Sequence, residues 1–220
     1  MKTIYLVRHG RTLFNQLYRM QGGSDTQLLP EGRQKAVALG QAFKKEQIKF
    51  DAAFSSDLGR ARETARLILA NCATPDLSLT ELEALREVNF GSFEGTPSVS
   101  AWDQARVRSG IHNLTAASPD NIRIQALHAF KEMDSVGLAE SYEDVVKRIE
   151  QTLTNLSHSE GQTILAVSHG LFINCIIYYL QGKETPLEIL PNTSVTKLLY
   201  EKETDSYRIL YVGREAHFAD

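Results

Sequence analysis

Two hydrophobic rhythms run along this chain: short apolar runs of strand type, and longer stretches in which apolar positions recur with the period of a helix. Residues 3–7 are rich in β-branched and aromatic types and run into Arg8-His9-Gly10, the pattern of a buried strand that delivers polar side chains at its C-terminal end. Residues 12–29 are polar, contain Gly22-Gly23-Ser24-Asp25 and show no sustained period, which predicts a loop folding over that strand end. Pro30 fits a first helical position, and Ala36, Leu39, Gly40 and Phe43 give one apolar helix face ending near Glu46. A second short strand is expected over 50–55, after which Ser55 or Ser56 can cap a helix carrying Leu58, Ala61, Ala65 and Ile68 inward.

The C-terminal half repeats this logic. Ser141 and Asp144 have the spacing of a capping box, and Val145, Ile149, Leu153 and Leu156 form a helical stripe. Residues 163–167 are an apolar strand that again ends in a histidine, as Ser168-His169-Gly170, followed by a helix to Leu180 closed by Gly182. Runs at 195–200 and 207–212 predict a final antiparallel strand pair. The expected fold is α/β: three layers, a mostly parallel central sheet with helices on both faces, and two strand-His-Gly junctions at one sheet edge. Residues 96–139, with Pro97, Gly110, Pro119 and Gly137 around two short helical patterns near Trp102 and Phe130, predict a helical cap inserted into a single domain over 1–220.

Composition narrows the partners. With 42% hydrophobic residues in 220 there is enough apolar surface for a core. A net charge of -3, from 24 basic and 27 acidic residues, gives no global attraction to nucleic acid or an anionic membrane, so any phosphate affinity must be local. Cys72 and Cys175 each fall in a predicted helix, which fits buried thiols in a reducing, cytoplasmic setting better than a disulfide. The chain starts directly with a strand and its apolar run over 171–180 is short and broken by Asn174, so neither a leader nor a membrane span is expected. No two histidines have ligand spacing, and HExxH and the glycine-rich nucleotide motifs are absent, so no metal and no cofactor are expected.

The chemistry sits at the strand ends. Gly10 supplies a side-chain-free turn expected to bring backbone N–H groups close to an anion, and Arg8 supplies a forked donor suited to phosphate oxygens. A neutral His9 imidazole can attack phosphorus directly, with its other ring nitrogen fixed by a backbone carbonyl. Asn15 and Gln21 are expected to line the same anion.

Leu6-Val7-Arg8-His9-Gly10, Asn15, the run Ser55-Ser56-Asp57-Leu58-Gly59-Arg60-Ala61-Arg62-Glu63-Thr64, Glu87-Val88-Asn89-Phe90-Gly91 and Val167-Ser168-His169-Gly170 resemble, in order and approximate spacing, the motifs of the histidine phosphatase superfamily, which includes the cofactor-dependent phosphoglycerate mutases. Glu140-Ser141 and Asn192-Thr193-Ser194 match more loosely. Gly23 and Leu29 depart from the pattern, which usually has an aromatic residue and a helix-capping Thr or Ser there. The resemblance implies a phosphohistidine intermediate on His9. Arg8, Arg60 and a protonated His169 would cage the phosphoryl group, with Asn15, Gln21 and Gly22 as further binding positions. Glu87 would be the acid that protonates the leaving oxygen and later takes a proton from water. The residues after Glu87 resemble the phosphatase branch rather than the mutases, which have Arg-His-Tyr-Gly there. The expected activity is therefore metal-independent hydrolysis of a small phosphorylated metabolite, with a phosphoglycerate mutase or a non-catalytic phospho-ligand binder as alternatives and a homodimer allowed. Among the cap arginines, Arg106, Arg108 and Arg123, either Arg106 or Arg108 is the expected contact to the far end of the substrate.

Overall fold

A computed structural model describes residues 1–183 and 185–219. The central six-stranded sheet consists of β1 (Lys2–Arg8), β2 (Ala52–Ser55), β3 (Leu79–Glu81), β4 (Thr163–Ser168), β5 (Val195–Glu201) and β6 (Ser206–Arg214), in the order β3-β2-β4-β1-β5-β6. Strands β1 to β4 run parallel, and β5 and β6 close one edge with antiparallel pairing. In the β1–β4 register Arg8 lies opposite Ser168, so each strand releases its histidine at the same level of the sheet. This is the carboxyl edge at which parallel sheets place ligands.

Alternation along β1 supplies both faces of the sheet. Tyr5 and Val7 turn toward α2 (Pro30–Lys45) and α3 (Gly59–Asn71), where they join Phe43, Phe50 and Ile68. Ile4 and Leu6 turn the other way, toward α7 (Tyr142–His158) and α8 (Gly170–Gln181). The predicted three-layer α/β architecture is the observed one. Pro30 occupies the first turn of α2, and Ser141 and Asp144 form the expected reciprocal capping box at α7.

Several local expectations change. Residues 12–29 contain a single helical turn, α1 (Leu13–Gln16), closed by a Thr12/Asn15 capping box. Neither Ser55 nor Ser56 caps α3, which starts later, at Gly59; the Asp25 carboxylate from the preceding loop accepts the Gly59 and Arg60 N–H groups at 2.5 and 3.4 Å. Strand β3 is three residues long, and nothing in its apolar pattern marks it. Residues 96–139 hold three helices rather than two, α4 (Ser98–Ser109), α5 (Asp120–Gln125) and α6 (Leu127–Met133). Their Trp102 and Phe130 stack edge-on with each other and with Phe90, and they share one buried cluster with α7 and α8. The cap is thus anchored to the layer that carries His169.

Removing the α7 cap with Ser141→Ala is expected to lower stability by about 1 kcal/mol, read as a lower urea midpoint at unchanged slope. An unchanged midpoint would show that tertiary packing alone holds this helix end.

Candidate active site

His9 follows β1 and is 3% exposed. Its Nδ1 hydrogen-bonds the Gly10 carbonyl at 2.7 Å, which requires Nδ1 to carry the proton and leaves Nε2 as the unprotonated ring nitrogen. The turn is clamped from several sides: Gly10 N–H donates to Thr64 Oγ1 at 2.9 Å, Asn192 Nδ2 donates to the His9 carbonyl at 3.0 Å, and a Cβ on Gly10 would lie 2.8 Å from the Gly32 carbonyl. The Gly10 N–H therefore serves Thr64 and does not face an anion, contrary to expectation. Its lack of a side chain serves the close pass of Gly32 instead.

Arg60, in the first turn of α3, is 1% exposed and reaches across to His9. Its Nε donates to His9 Nε2 at 3.3 Å, Nη1 to the Ser24 carbonyl and Asp25 Oδ1 at 2.7 and 3.0 Å, and Nη2 to the Gly22 carbonyl at 2.9 Å. Arg62, two residues on, pairs with Glu81 at the surface. His169 is fully buried at the N-terminus of α8, with its ring centroid 5.1 Å from that of His9, and neither of its ring nitrogens has a hydrogen-bond partner among the described residues. Arg8 donates through Nη1 to the Leu190 carbonyl, while its buried Nε has no such partner. Gly170 makes room for Arg8, since a Cβ there would stand 3.0 Å from Arg8 Nε.

Burial, then the Arg60 and Arg8 charges, hold His9 well below the ordinary histidine range. His169 is pushed the same way by burial, then by Arg60, His9, Arg148 and Arg8. Beside the guanidinium groups of Arg8 and Arg60, this burial works against the protonated form of His169 that the resemblance implies.

Glu87 is buried. Its Oε1 accepts the N–H groups of Val88 and Phe172 at 3.0 and 2.8 Å, and its Oε2 accepts that of Leu171 at 3.2 Å, so it caps the first turn of α8. Burial pushes its pKa up, against the opposing pull of these amides and of Arg60. The segment leading to it is held by Arg148, which donates to the carbonyls of Ala84, Arg86 and Glu87 and forks onto Glu140 at 2.7 and 2.8 Å. Arg148 is a positioning residue that the motifs left out, with only its partner segment Glu140-Ser141 carrying a loose signal, whereas Asn192 lay in the loosely matching Asn192-Thr193-Ser194.

A cavity of about 540 Å³ opens over these groups, lined by Arg8, Asn15, Gln21, Glu87 and Asn192, with Phe14, Met20, Phe90 and Trp102 on its walls. His9, Arg60 and His169 are buried beside it rather than on its lining. Asn15 Oδ1 accepts from Thr12 N–H and Asn192 Nδ2 at 3.2 Å each. Gln21 uses Oε1 to accept from Thr12 and Thr26, and its buried Nε2 is without a partner among the described residues. Gly22 departs from its expected role as a substrate-binding position: its N–H is taken by the Glu94 carboxylate and its carbonyl by Arg60, so it supports the arginine and has no amide left for a substrate. A larger groove of about 1020 Å³ shares Glu87, but its other carboxylates are engaged, Glu140 by Arg148, Glu94 by backbone amides, Glu81 by Arg62 and Glu83 by Arg86. The smaller cavity is the candidate site, since Arg8 and Asn15 line it.

The cap arginines also depart from expectation. Arg106 pairs with Asp103 and Arg108 with Glu132 on exposed ground, so neither lines the cavity. Arg123 does, stacked 4.5 Å over Trp102 and paired at 2.7 Å with the buried Asp120. No group of described His, Cys, Asp or Glu side chains is placed to hold a metal ion, and no described helix is long and apolar enough to cross a membrane.

The profile of the histidine phosphatase superfamily (branch 1) matches residues 4–212. The chain belongs to this superfamily. Its relatives include a 2,3-bisphosphoglycerate-dependent phosphoglycerate mutase of Bartonella bacilliformis, 30% identical over 93% of this chain and 94% of that one. A broad-specificity phosphatase of Saccharomyces cerevisiae is 27% identical over 99% of this chain and 87% of that one. Among solved structures, a phosphoglycerate mutase from Bacillus anthracis superposes with a TM-score of 0.86 at 32% identity, covering 97% of this chain and 93% of that one. This histidine phosphatase superfamily member thus has both phosphatases and mutases among its relatives.

The neutral histidines tie the site to pH. Below pH 6.5 the unfolded chain binds protons at positions 9 and 169 that the folded protein refuses, so stability falls on acidification. The loss approaches about 1.4 kcal/mol per pH unit for each residue until the folded forms titrate. Urea unfolding from pH 7.5 down to 5 is expected to show this slope in the wild type and a flatter one in His9→Asn/His169→Asn. Equal slopes would mean that the histidines are not held neutral.

Proposed function

We propose that the protein is a metal-independent phosphatase that hydrolyses small phosphomonoesters through a phosphohistidine on His9. The observation that carries this reading is the His9 Nδ1 contact to the Gly10 carbonyl, which aims an unprotonated Nε2 toward Arg60 and His169. In the first step the Nε2 lone pair attacks phosphorus, the ester P–O bond breaks, and the leaving oxygen takes the proton of Glu87 in its acid form. Arg8 and Arg60 balance the charge on the equatorial oxygens, to which Asn15 and His169 donate hydrogen bonds. In the second step water attacks the phosphorus and gives a proton to the Glu87 carboxylate; the N–P bond breaks, and its electrons return to Nε2.

Hydrolysis is supported by the residues after Glu87, Val88-Asn89-Phe90-Gly91, which resemble the phosphatase branch, and by the apolar walls Phe14, Met20, Phe90 and Trp102. Arg11, Arg19 and Arg123 share the lining, so an anionic substituent on the substrate also has cations to meet. The names of the Bartonella and Bacillus relatives support mutase activity as the second reading. Two buried, unpaired thiols, Cys72 and Cys175, suit a cytoplasmic setting.

Phosphorus NMR of a panel of phosphorylated metabolites separates the readings. Inorganic phosphate should be the product, with EDTA without effect and vanadate inhibitory; isomer formation dependent on a bisphosphate would establish the mutase. Glu87→Gln is expected to slow an alkyl phosphate by on the order of 10²-fold and an aryl phosphate, whose phenolate leaves unaided, much less. Equal losses on both would remove Glu87 as the proton donor.

A further inference from the structure

Outside the groups already given roles, one carboxylate gathers an unusual set of donors. Glu94 lies just after the 3₁₀ turn Gly91–Phe93, and its oxygens accept the backbone N–H groups of Gly22 at 2.9 and 3.1 Å, of Gly23 and Ser24 at 3.0 Å each, and of Phe90 at 3.0 Å, with Ser24 Oγ at 2.5 Å. Three consecutive amides converging on one anion form a concave nest that fixes the conformation of the loop supplying them. The same loop then turns its oxygens to the other side. The carbonyls of Gly22 and Ser24 receive Arg60 Nη2 and Nη1, Asp25 receives Nη1 as well, and the remaining Nε contacts His9 Nε2. Gly22 is sterically required in this sandwich, because a Cβ there would stand 2.0 Å from the Val88 carbonyl and 2.5 Å from Glu94 Oε1.

We propose that Glu94 is a positioning residue for the phosphoryl-transfer step: by anchoring the amides of residues 22–24 it holds the carbonyls that aim Arg60 at the nucleophile. The proposal rests on His9 being that nucleophile. Glu94 accepts four backbone N–H groups and the Ser24 hydroxyl, so both of its oxygens are committed to the loop. A cation as long as arginine has many rotamers, and without fixed acceptors on Nη1 and Nη2 its guanidinium would be free to swing away from Nε2. The nest removes that freedom before substrate arrives.

The groups facing His9 are Arg8 from β1, Arg60 from α3 and His169 from the start of α8, so loosening Arg60 alone leaves the other two in place. Two consequences follow for Glu94→Gln, whose side-chain amide puts N–H donors among the loop amides. With an aryl phosphate, kcat should fall on the order of 10- to 100-fold while KM changes much less. The His9 ring should also titrate at higher pH, because one of the cations that keeps it neutral has moved away. Ser24→Ala, which deletes a single contact at a part-exposed loop, keeps the test usable if the glutamine variant folds poorly, and should shift both readouts in the same direction by less.

The experiment measures kcat and KM against pH for the wild type, Glu94→Gln, Glu94→Asp, Ser24→Ala and His9→Ala, with imidazole resonances of His9 followed by NMR. A kcat-selective loss together with an upward shift of the His9 titration, partly restored in Glu94→Asp, supports the proposal. Unchanged kcat and His9 titration in both Glu94→Gln and Ser24→Ala overturns it while leaving the phosphohistidine reading intact. Turnover retained by His9→Ala would overturn that reading and this one with it.

Discussion

A nucleophilic imidazole has to stay unprotonated on a floor shared with two guanidinium groups, and much of the structure meets that constraint. Water is largely excluded from His9, Arg60 and His169, so the positive charges repel any further proton. The Gly10 carbonyl fixes the proton on Nδ1 and with it the reactive lone pair on Nε2. The same burial that keeps the histidines neutral pushes Glu87 toward its acid form, so the pair is set in opposite directions by one environment. A phosphate dianion entering this site would meet a net positive floor with few competing waters, where charge stabilisation is strongest.

The sheet makes this crowding possible. Pairing Arg8 opposite Ser168 sets His9 beside His169 without any contact between the two loops having to be chosen separately. A one-residue slip in β1 would exchange Ile4 and Leu6 with Tyr5 and Val7 between the two helical layers, so the hydrophobic core fixes the catalytic register. The cap contributes from above through Trp102 and Phe130, which tie it into the α7 and α8 layer and carry Arg123 to the cavity wall.

Elements with strong periodicity were legible in the chain: β1, β4, α2 and α7, together with the two histidine turns and Arg60. Harder to read were features that depend on long-range contacts between a side chain and backbone. Asp25 caps a helix 34 residues away, Glu94 organises a loop 70 to 72 residues earlier, and Arg148 holds carbonyls 61 to 64 residues before it. None of these leaves a period or a local spacing. Gly10 and Gly22 show the same limit, since Gly10 suggested amides for an anion and Gly22 a binding position, whereas the structure uses their missing side chains to let segments pass closely. The cap arginines failed for a further reason: Arg106 and Arg108 have acidic partners within reach on the outer surface, which a count of cations does not reveal.

The central claim is that the phosphoryl group passes through His9. Rapid quenching of the wild type with a radiolabelled aryl phosphate, followed by peptide mapping, tests it most directly. The account predicts a transient label that is acid-labile and alkali-stable, located on the peptide containing His9 and absent from His9→Ala. Label that resists acid, or that persists in His9→Ala, would contradict it.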